Sequence, residues 1–299
     1  MINKLRNICL ENFDKQNFDR LAFGVLDFKS HTFETFEIHE GHEVDSGLCL
    51  FDLASLTKAL TLGFSFAKFR SDIDHKILSL IEHRAGLPAF GRLSKKDWKE
   101  QILNYKIIED TQTVYSDYSA LRAMLELEKK WGTSLYEKVS PLWSKGLIHW
   151  SDITDWTDCP ITGWRQGKVI QGDVNDDNAF IIKEKLTHAG LFSNINSLCE
   201  TLINIDKNHD LIATMMKEEF SRGRFIGGFD TVKDLENTLA GKGASLSTFG
   251  HLGFTGTSFW IDGEKKLGHV LLTNETKKYW YDRARLNELR RNLGQMVFN

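Results

Sequence analysis

Apolar and polar residues alternate in patterns that predict β-strands near both ends of the chain. Residues 21–28 and 32–38 are predicted strands, and the short link between them predicts a hairpin. Towards the C-terminus, four apolar segments separated by turn residues predict a meander. They span residues 225–229, 247–254, 257–262 and 267–273. We expect the strands from the two ends to share one antiparallel sheet.

Helical periodicity predicts helices between these two groups of strands and at both termini. The predicted helices span residues 1–17, 59–69, 77–88, 97–105, 119–131, 196–206 and 282–297. From residue 132 to residue 182 the pattern is helical at first and then loop-rich, and we expect Trp143, Trp150, Trp156 and Trp164 to pack a lid or wall there. The order of elements predicts an α+β fold, in which an antiparallel sheet is flanked by helices and carries an inserted helical subdomain.

The length and composition suit one globular domain. The 299 residues are 41% hydrophobic and 26% charged, which is ample for a buried core. We expect an α/β part formed by residues 1–54 and 185–299, and a helical part formed by residues 55–184. A net charge of −3 and a pI of about 6.4 provide no basic surface for nucleic acid or for an anionic membrane.

The cysteines and the hydropathy pattern predict a cytoplasmic protein. No stretch is apolar enough for a signal peptide or a membrane span. Cys9, Cys49, Cys159 and Cys199 are widely scattered and none belongs to a C-x-x-C pair. This spacing favours reduced thiols over a zinc site or a thioredoxin-like motif.

A serine and a lysine three positions apart, Ser55 and Lys58, are the first candidate for catalysis. On a helix such residues share a face, about 5–6 Å apart at Cβ, and an amine at that distance can accept a serine's proton. The same spacing recurs in Ser65 and Lys68, so the pattern alone is weak. Context separates the two pairs, because Ser55 opens an apolar run whereas Ser65 lies within it, where we expect its hydroxyl to bond the preceding turn. The structural alternative is a helix that begins with a capping serine and carries a solvated lysine.

Other candidates are weak when each is considered alone. Tyr115 precedes two residues that are natural helix caps, and it is equally compatible with a half-buried loop aromatic. The glycines of residues 250–257 would let backbone N–H groups approach a ligand, as in an oxyanion hole, and they would equally suit a β-bulge. His83 near a helix end is a candidate base or ligand, although a structural role is commoner there.

The order of these motifs resembles the three signatures of the penicillin-recognising serine hydrolases. The similarity is to the branch related to class C β-lactamases, which includes esterases, D-amino-acid peptidases and muropeptide amidases. The three motifs are Ser55-x-x-Lys58, Tyr115-Ser116-Asp117 and His251-Leu252-Gly253, with Phe254-Thr255-Gly256 as another register for the third. Supporting stretches at residues 51–58, 83–88, 172–179, 188–193 and 250–262 extend the resemblance over residues 20–275.

The resemblance implies a β-lactamase/penicillin-binding-protein-like fold and a role for each motif. Ser55 would form an acyl-enzyme, Lys58 would accept its proton, and Tyr115 would relay that proton to the leaving group. The backbone N–H groups of Ser55 and Phe254 would form the oxyanion hole. The residues that bind the substrate or stabilise the oxyanion would include Asp117, His251, Gly253 and Phe254. No metal and no cofactor is implied, the partner is a small-molecule or peptide substrate, and the oligomeric state is open.

Three departures from the family pattern leave two functions open. Leu252 replaces a threonine that contacts the substrate carboxylate, Asp117 replaces the asparagine of β-lactamases, and Asn175 replaces a histidine. One hypothesis is a hydrolase that cleaves an ester or an amide, for example in a peptidoglycan-derived peptide. The alternative is a catalytically retired relative that binds a peptide or muropeptide without turnover.

Overall fold

The computed structural model describes residues 1–278 and 282–299. Within residues 1–278, eight strands form one antiparallel sheet in the order β3-β2-β1-β13-β12-β11-β10-β9, beside sheets of three and two strands. Numbered along the chain, the strands are β1 Arg20–Asp27, β2 Thr32–His39, β3 His42–Val44, β4 Phe51–Asp52, β5 Leu147–His149, β6 Gly163–Arg165, β7 Lys168–Ile170, β8 Leu191–Ser193, β9 Phe225–Ile226, β10 Phe229–Thr231, β11 Thr248–Leu252, β12 Ser258–Asp262 and β13 Leu267–Thr273.

The large sheet confirms that strands from both chain ends pair. β1 lies antiparallel to β13, with Leu21 opposite Thr273, and β10 to β13 form the predicted meander. The predicted single strand at 225–229 is wrong, because Gly227 and Gly228 take positive φ angles of 56° and 91° and reverse the chain between β9 and β10. The short edge strand β3 is polar and was not predicted.

The described residues also form eleven α-helices. They are α1 Ile2–Asn12, α2 Leu56–Lys58, α3 Phe64–Lys68, α4 His75–Ile81, α5 Trp98–Leu103, α6 Asp117–Trp131, α7 Leu135–Val139, α8 Asp177–Ile182, α9 Ile195–His209, α10 Leu211–Met215 and α11 Ala284–Phe298. A π-helical turn, Ala59–Gly63, joins α2 to α3. The predicted helix at 77–88 ends at Ile81 because His83, at φ 57°, leaves the helical region before the predicted stop at Gly86.

Both faces of the large sheet are covered. On one face, α1 and α11 pack over residues such as Phe23 and Leu271. On the other face α9 packs so closely that a Cβ at Gly24 would lie 2.4 Å from the Cys199 sulfur. Helices α2 to α8 lie in sequence between β4 and β8, within the expected insertion; the domain boundaries themselves stay a prediction.

The tryptophans do not form one wall. Trp150 is buried and Trp143 is half-buried with its ring N–H bonded to the Leu60 carbonyl. Trp156 and Trp164 are instead largely exposed, because they lie in loop and hairpin positions on the surface. Among the helices of residues 1–278 and 282–299, none combines the length and the apolar character that crossing a bilayer requires.

Candidate active site

Ser55 lies at a strained turn between β4 and α2. Ala54 has a φ of 46°, which is unfavourable for a residue with a Cβ. The buried Asp52 carboxylate holds this turn, because it accepts hydrogen bonds from the backbone N–H groups of Ala54 (2.8 Å) and Asn175 (2.7 Å). Burial raises the pKa of Asp52 to about 6, although these two bonds oppose the rise. The turn directs the Ser55 hydroxyl towards Lys58.

Lys58 is buried and makes three polar contacts at its ammonium group. Nζ donates hydrogen bonds to Ser55 Oγ (3.0 Å) and to the His188 carbonyl (3.2 Å), and it lies 2.7 Å from Asp117 Oδ1. Burial by itself would lower the pKa of Lys58, but the charge of Asp117 and the neighbouring Tyr115 outweigh burial and raise that pKa above its ordinary value. Lys58 is therefore a cation at neutral pH.

The second serine–lysine pair has a structural role. Ser65 is buried in α3 and its hydroxyl donates to the Thr61 carbonyl one turn earlier (2.8 Å). Lys68 Nζ lies 3.1 Å from His209 Nδ1. The spacing is the same as in the first pair, but only the first pair meets a carboxylate and faces a cleft.

Tyr115 lies within a cluster of aromatic and imidazole rings. Its ring centroid is 4.8 Å from the Lys58 nitrogen, 4.8 Å from the His83 ring and 5.4 Å from the Phe225 ring. Ser116 is the N-cap of α6, as its residue type predicts, and its backbone N–H donates to His83 Nδ1 (3.2 Å). His83 therefore positions the Tyr115 segment.

The glycine-rich stretch forms a tight turn beside Ser55. Gly253 N donates to the Thr257 carbonyl at 2.8 Å, so the segment connects β11 to β12 as a loop. The hydroxyls of Thr255 and Thr257 donate to the carbonyls of Asp52 and Leu53, at 2.7 and 3.0 Å, and these bonds dock the turn against the segment that precedes Ser55. Gly253 is needed for this approach, because a Cβ there would lie 2.6 Å from the Leu53 carbonyl oxygen.

His251 is a neutral residue in this setting. It is buried at the end of β11, its Nδ1 lies 2.8 Å from the Leu252 carbonyl, and its ring lies 6.0 Å from the Tyr115 ring. Burial, together with the charge of Lys58, lowers the pKa of His251 to about 3. His251 therefore does not supply the positive charge of the lysine that is usual at this position of the third motif.

A cleft of about 950 Å³ brings most of the predicted residues together. Its lining includes Ser55, Tyr115, Asp117, His251, Gly253 and Phe254, with Lys58 buried behind them. It also includes residues that the sequence analysis did not single out, among them Arg92, Arg224, Asp230, Arg283, Asn287 and Arg290. Of these, Arg283, Asn287 and Arg290 carried a local signal, since spacings of four and three put them on one face of the predicted C-terminal helix.

The supporting stretches also meet around the cleft. Asp176 accepts a hydrogen bond from His188 Nε2 at 2.9 Å, which joins the stretch at 172–179 to the one at 188–193. The bond from Asn175 N to Asp52 joins the former stretch to the nucleophile segment. Segments that are more than 100 residues apart in sequence are thus held against one another by side chains of the motifs.

Comparison with known proteins agrees with this arrangement. The family model described as Beta-lactamase matches residues 72–292, a range that begins after Ser55 and Lys58. No curated protein matches the chain. A class C β-lactamase from Rhodobacter sphaeroides is 14% identical, with 98% of each chain covered and a TM-score of 0.68.

Two further solved structures have the same fold. A β-lactamase from Mycobacterium bovis is 16% identical, with 97% of each chain covered and a TM-score of 0.62. An octameric penicillin-binding protein homologue from Pyrococcus abyssi is 14% identical, with 98% of this chain and 78% of that chain covered and a TM-score of 0.66. At these identities the likeness concerns the fold alone, and it confirms the predicted fold class. The family match covers most of the sequence, and the chain therefore belongs to the β-lactamase family.

Proposed function

We propose that the protein is a serine hydrolase that cleaves an ester or an amide through an acyl-enzyme on Ser55. Members of the β-lactamase family are generally serine hydrolases or acyl transferases. The observation that carries the proposal is the contact of Lys58 Nζ with both Ser55 Oγ (3.0 Å) and Asp117 Oδ1 (2.7 Å) at the floor of a large cleft. A nucleophile, a proton acceptor and a group that orients the acceptor are thereby in hydrogen-bond reach of one another.

The ion pair determines how the serine loses its proton. Lys58 is already protonated, so it can take the Ser55 proton only in the fraction of molecules whose Lys58 has first lost a proton to solvent. Asp117 is the nearest carboxylate; it orients the Lys58 amine and, because it stabilises the ammonium form, keeps that fraction small at neutral pH. Ser55 Oγ then bonds to the carbonyl carbon. When the bond to the departing alcohol or amine breaks, Tyr115 gives its proton to that group and takes in return the proton that Lys58 received from Ser55. Water attacks the acyl ester in the second half-reaction, which releases the acid and restores Ser55.

Backbone N–H groups would stabilise the oxyanion. We assign this role to Ser55 N at the start of α2 and to Phe254 N in the glycine-rich turn. Support comes from the two threonine hydroxyl bonds that dock this turn against Asp52 and Leu53. Donors fixed in this way before the substrate binds are worth more than donors that must reorganise.

Arginines on one side of the cleft would meet a negatively charged group of a substrate, although Asp117, Asp176, Asp177 and Asp230 also line the cleft. Arg290 is held by bonds to the Thr257 carbonyl and to Asn287 Oδ1, and Arg283 lines the same region. A peptide with a free carboxylate, such as a fragment of peptidoglycan, is one candidate. Leu252 offers no hydroxyl to a substrate carboxylate, which argues against efficient β-lactam turnover. The cytoplasmic location that the sequence suggested stays a prediction.

The test is covalent labelling of the nucleophile. We expect intact mass measurement after fluorophosphonate treatment to show one adduct on the wild-type protein and none on Ser55→Ala. Ser65→Ala is the matched control, because Ser65 has the same spacing to a lysine but bonds within its own helix, and it should be labelled like the wild type. Equal labelling of Ser55→Ala would contradict the proposal.

One observation favours a second candidate function. The Asp117 carboxylate keeps the proton on Lys58, as would suit a retired relative that binds a peptide or muropeptide without turnover. In that case the folded wild-type protein would give no adduct. A muropeptide would raise its melting temperature, and no product would appear on long incubation. Labelling that is lost in Ser55→Ala would rule this candidate out.

A further inference from the structure

Three possible metal ligands of different types meet at the edge of the large sheet. Glu37 and His39 are two residues apart on β2 and therefore face the same side of the strand, and Cys49 lies in the loop before β4. His39 Nε2 lies 2.6 Å from Glu37 Oε1 and 3.2 Å from Cys49 Sγ. The three donor atoms all lie within 4.8 Å of one another. The active-site cleft is lined by other residues of the described chain and by none of these three.

The carboxylate of this cluster is fixed before any ligand arrives. Glu37 is completely buried, and its Oε2 accepts hydrogen bonds from Gly47 N (2.8 Å) and Leu48 N (3.2 Å). Its Oε1 accepts a bond from Cys49 N at 2.8 Å. Metal-binding carboxylates are commonly oriented by second hydrogen bonds of this kind. The loop of residues 47–49 thus wraps around Glu37 and carries the thiol of Cys49 towards it.

We propose that Glu37, His39 and Cys49 form a binding site for a zinc ion. A thiolate, an imidazole and a carboxylate are the three ligand types that Zn²⁺ takes from proteins. The charges balance, since one carboxylate and one thiolate neutralise a divalent cation in a place where an unbalanced charge would be costly. On binding, the Cys49 thiol gives its proton to solvent and its sulfur bonds to the metal.

The geometry needs a small movement that the surroundings permit. Tetrahedral zinc separates a nitrogen from a sulfur ligand by about 3.6 Å and from an oxygen ligand by about 3.4 Å. The observed separations are 3.2 and 2.6 Å, so the imidazole must move outward by less than about 1 Å. The His39 side chain is 23% exposed, whereas Glu37 and Cys49 are buried, which makes the imidazole the movable ligand.

The fourth position is open to a neighbouring cavity. His39 and Cys49 both line a cavity of about 340 Å³, which Asp158 and Cys159 also line. We assign a water molecule from this cavity as the fourth ligand. The ion would join β2 to the loop that leads into β4, and it would therefore have a structural role. Its ligand Cys49 lies six residues before Ser55 in the sequence. This inference does not depend on the proposed hydrolase activity.

Cobalt substitution of the full-length protein tests the site. We expect one equivalent of Co²⁺ to give the near-ultraviolet charge-transfer band of a thiolate–cobalt bond, and one equivalent of Zn²⁺ to abolish it. Cys49→Ser should lose the band. His39→Gln should keep the band but require at least about tenfold more Co²⁺ to reach it, because one of three protein ligands is gone.

Cys159→Ser is the matched control, since Cys159 is buried and lines the same cavity. It should bind Co²⁺ like the wild type. Cooperative thermal melting shows which variants fold. If Cys49→Ser does not fold, the comparison of His39→Gln with the wild type tests the site. The absence of a band in the wild type would overturn the proposal. A band that is lost in Cys159→Ser and kept in Cys49→Ser would overturn the assigned ligands.

Discussion

Asp117 stands where β-lactamases have an asparagine, and it changes the charge state of the residue beside the nucleophile. Its Oδ1 lies 2.7 Å from Lys58 Nζ, and Lys58 is almost wholly buried. A carboxylate at that distance stabilises the ammonium form more than burial destabilises it, so the pKa of Lys58 is raised. Asp117 therefore keeps Lys58 in its charged form beside Ser55.

Replacement of this carboxylate should move the pH dependence of acylation. In Asp117→Asn the cause of the raised pKa is removed while burial remains, so the pKa of Lys58 falls and the neutral amine becomes available at lower pH. We expect the rising limb of the fluorophosphonate labelling rate to shift towards acid by at least about one pH unit. The measurement is the labelling rate from pH 5 to pH 10, where the wild-type rate should still be rising at the upper end because the pKa of Lys58 is raised.

Asp177→Asn provides the control for the change of charge. Asp177 lines the same cleft, but its carboxylate pairs with Arg165. Its replacement should leave the labelling profile where it is in the wild type. A profile that is identical in Asp117→Asn and the wild type would show that Lys58 does not carry the serine's proton, and would favour another base.

At the scale of elements, the loop between β11 and β12 depends on one glycine. In Gly253→Ala the added Cβ would lie 1.9 Å from Thr257 Oγ1 and 2.6 Å from the Leu53 carbonyl oxygen. Because the latter is backbone, the turn must move away from Ser55 and carry Phe254 with it. We expect the labelling rate at neutral pH to fall at least about tenfold, since loss of one oxyanion donor costs about 10²–10³ in rate.

Gly223→Ala is a suitable control for this substitution. A Cβ there would meet the Arg84 side chain at 3.5 Å, an ordinary contact distance. This variant should be labelled at the wild-type rate. Thermal melting of both variants separates a local shift of the turn from a loss of the fold. A Gly253→Ala variant that is folded and labelled at the normal rate would remove the turn from the proposed oxyanion hole.

At the scale of the whole molecule, buried histidines should make the fold sensitive to acid. His269 on β13 is 1% exposed, its Nε2 bonds to the Ala240 carbonyl, and it stacks on Phe23. Burial lowers the pKa of His269 to about 4. As pH falls below about 6.5, the unfolded chain binds a proton that the native protein does not, so stability decreases by about 1.4 kcal/mol per pH unit until the folded pKa is reached.

Removal of this imidazole should flatten the dependence of stability on pH. The difference in the free energy of unfolding between pH 7 and pH 5 should be about 2 kcal/mol smaller in His269→Gln than in the wild type. Urea denaturation at both pH values measures it. His42→Gln, at an exposed position on β3, should leave the difference unchanged. An unchanged difference in His269→Gln would show that His269 is protonated equally in both states.

The sequence by itself predicted the N-terminal hairpin, a C-terminal meander, a sheet shared by the two groups of strands and most helix positions, and it singled out the motif residues. Alternation and helical periodicity report which side chains face the core, and they are local properties, so β1, β2 and the strands β11 to β13 of the meander could be predicted. Short polar strands such as β3 lack that signal. The reversal at Gly227 and the end of α4 were predicted at the wrong places. Both depend on backbone conformation, which the pattern of apolar residues does not report.

Only the tertiary structure decided which of these residues meet. Ser55 and Ser65 have the same spacing to a lysine. The position of Ser65 inside an apolar run predicts the bond that its hydroxyl makes within its own helix, but only the fold brings Asp117, 59 positions beyond Lys58, to the first pair. The scattered cysteines argued against a metal, yet the pairing of β2 with its loop places Cys49 beside His39. Distances between residues far apart in sequence depend on how whole elements pack, and that packing is a collective property which no local pattern contains.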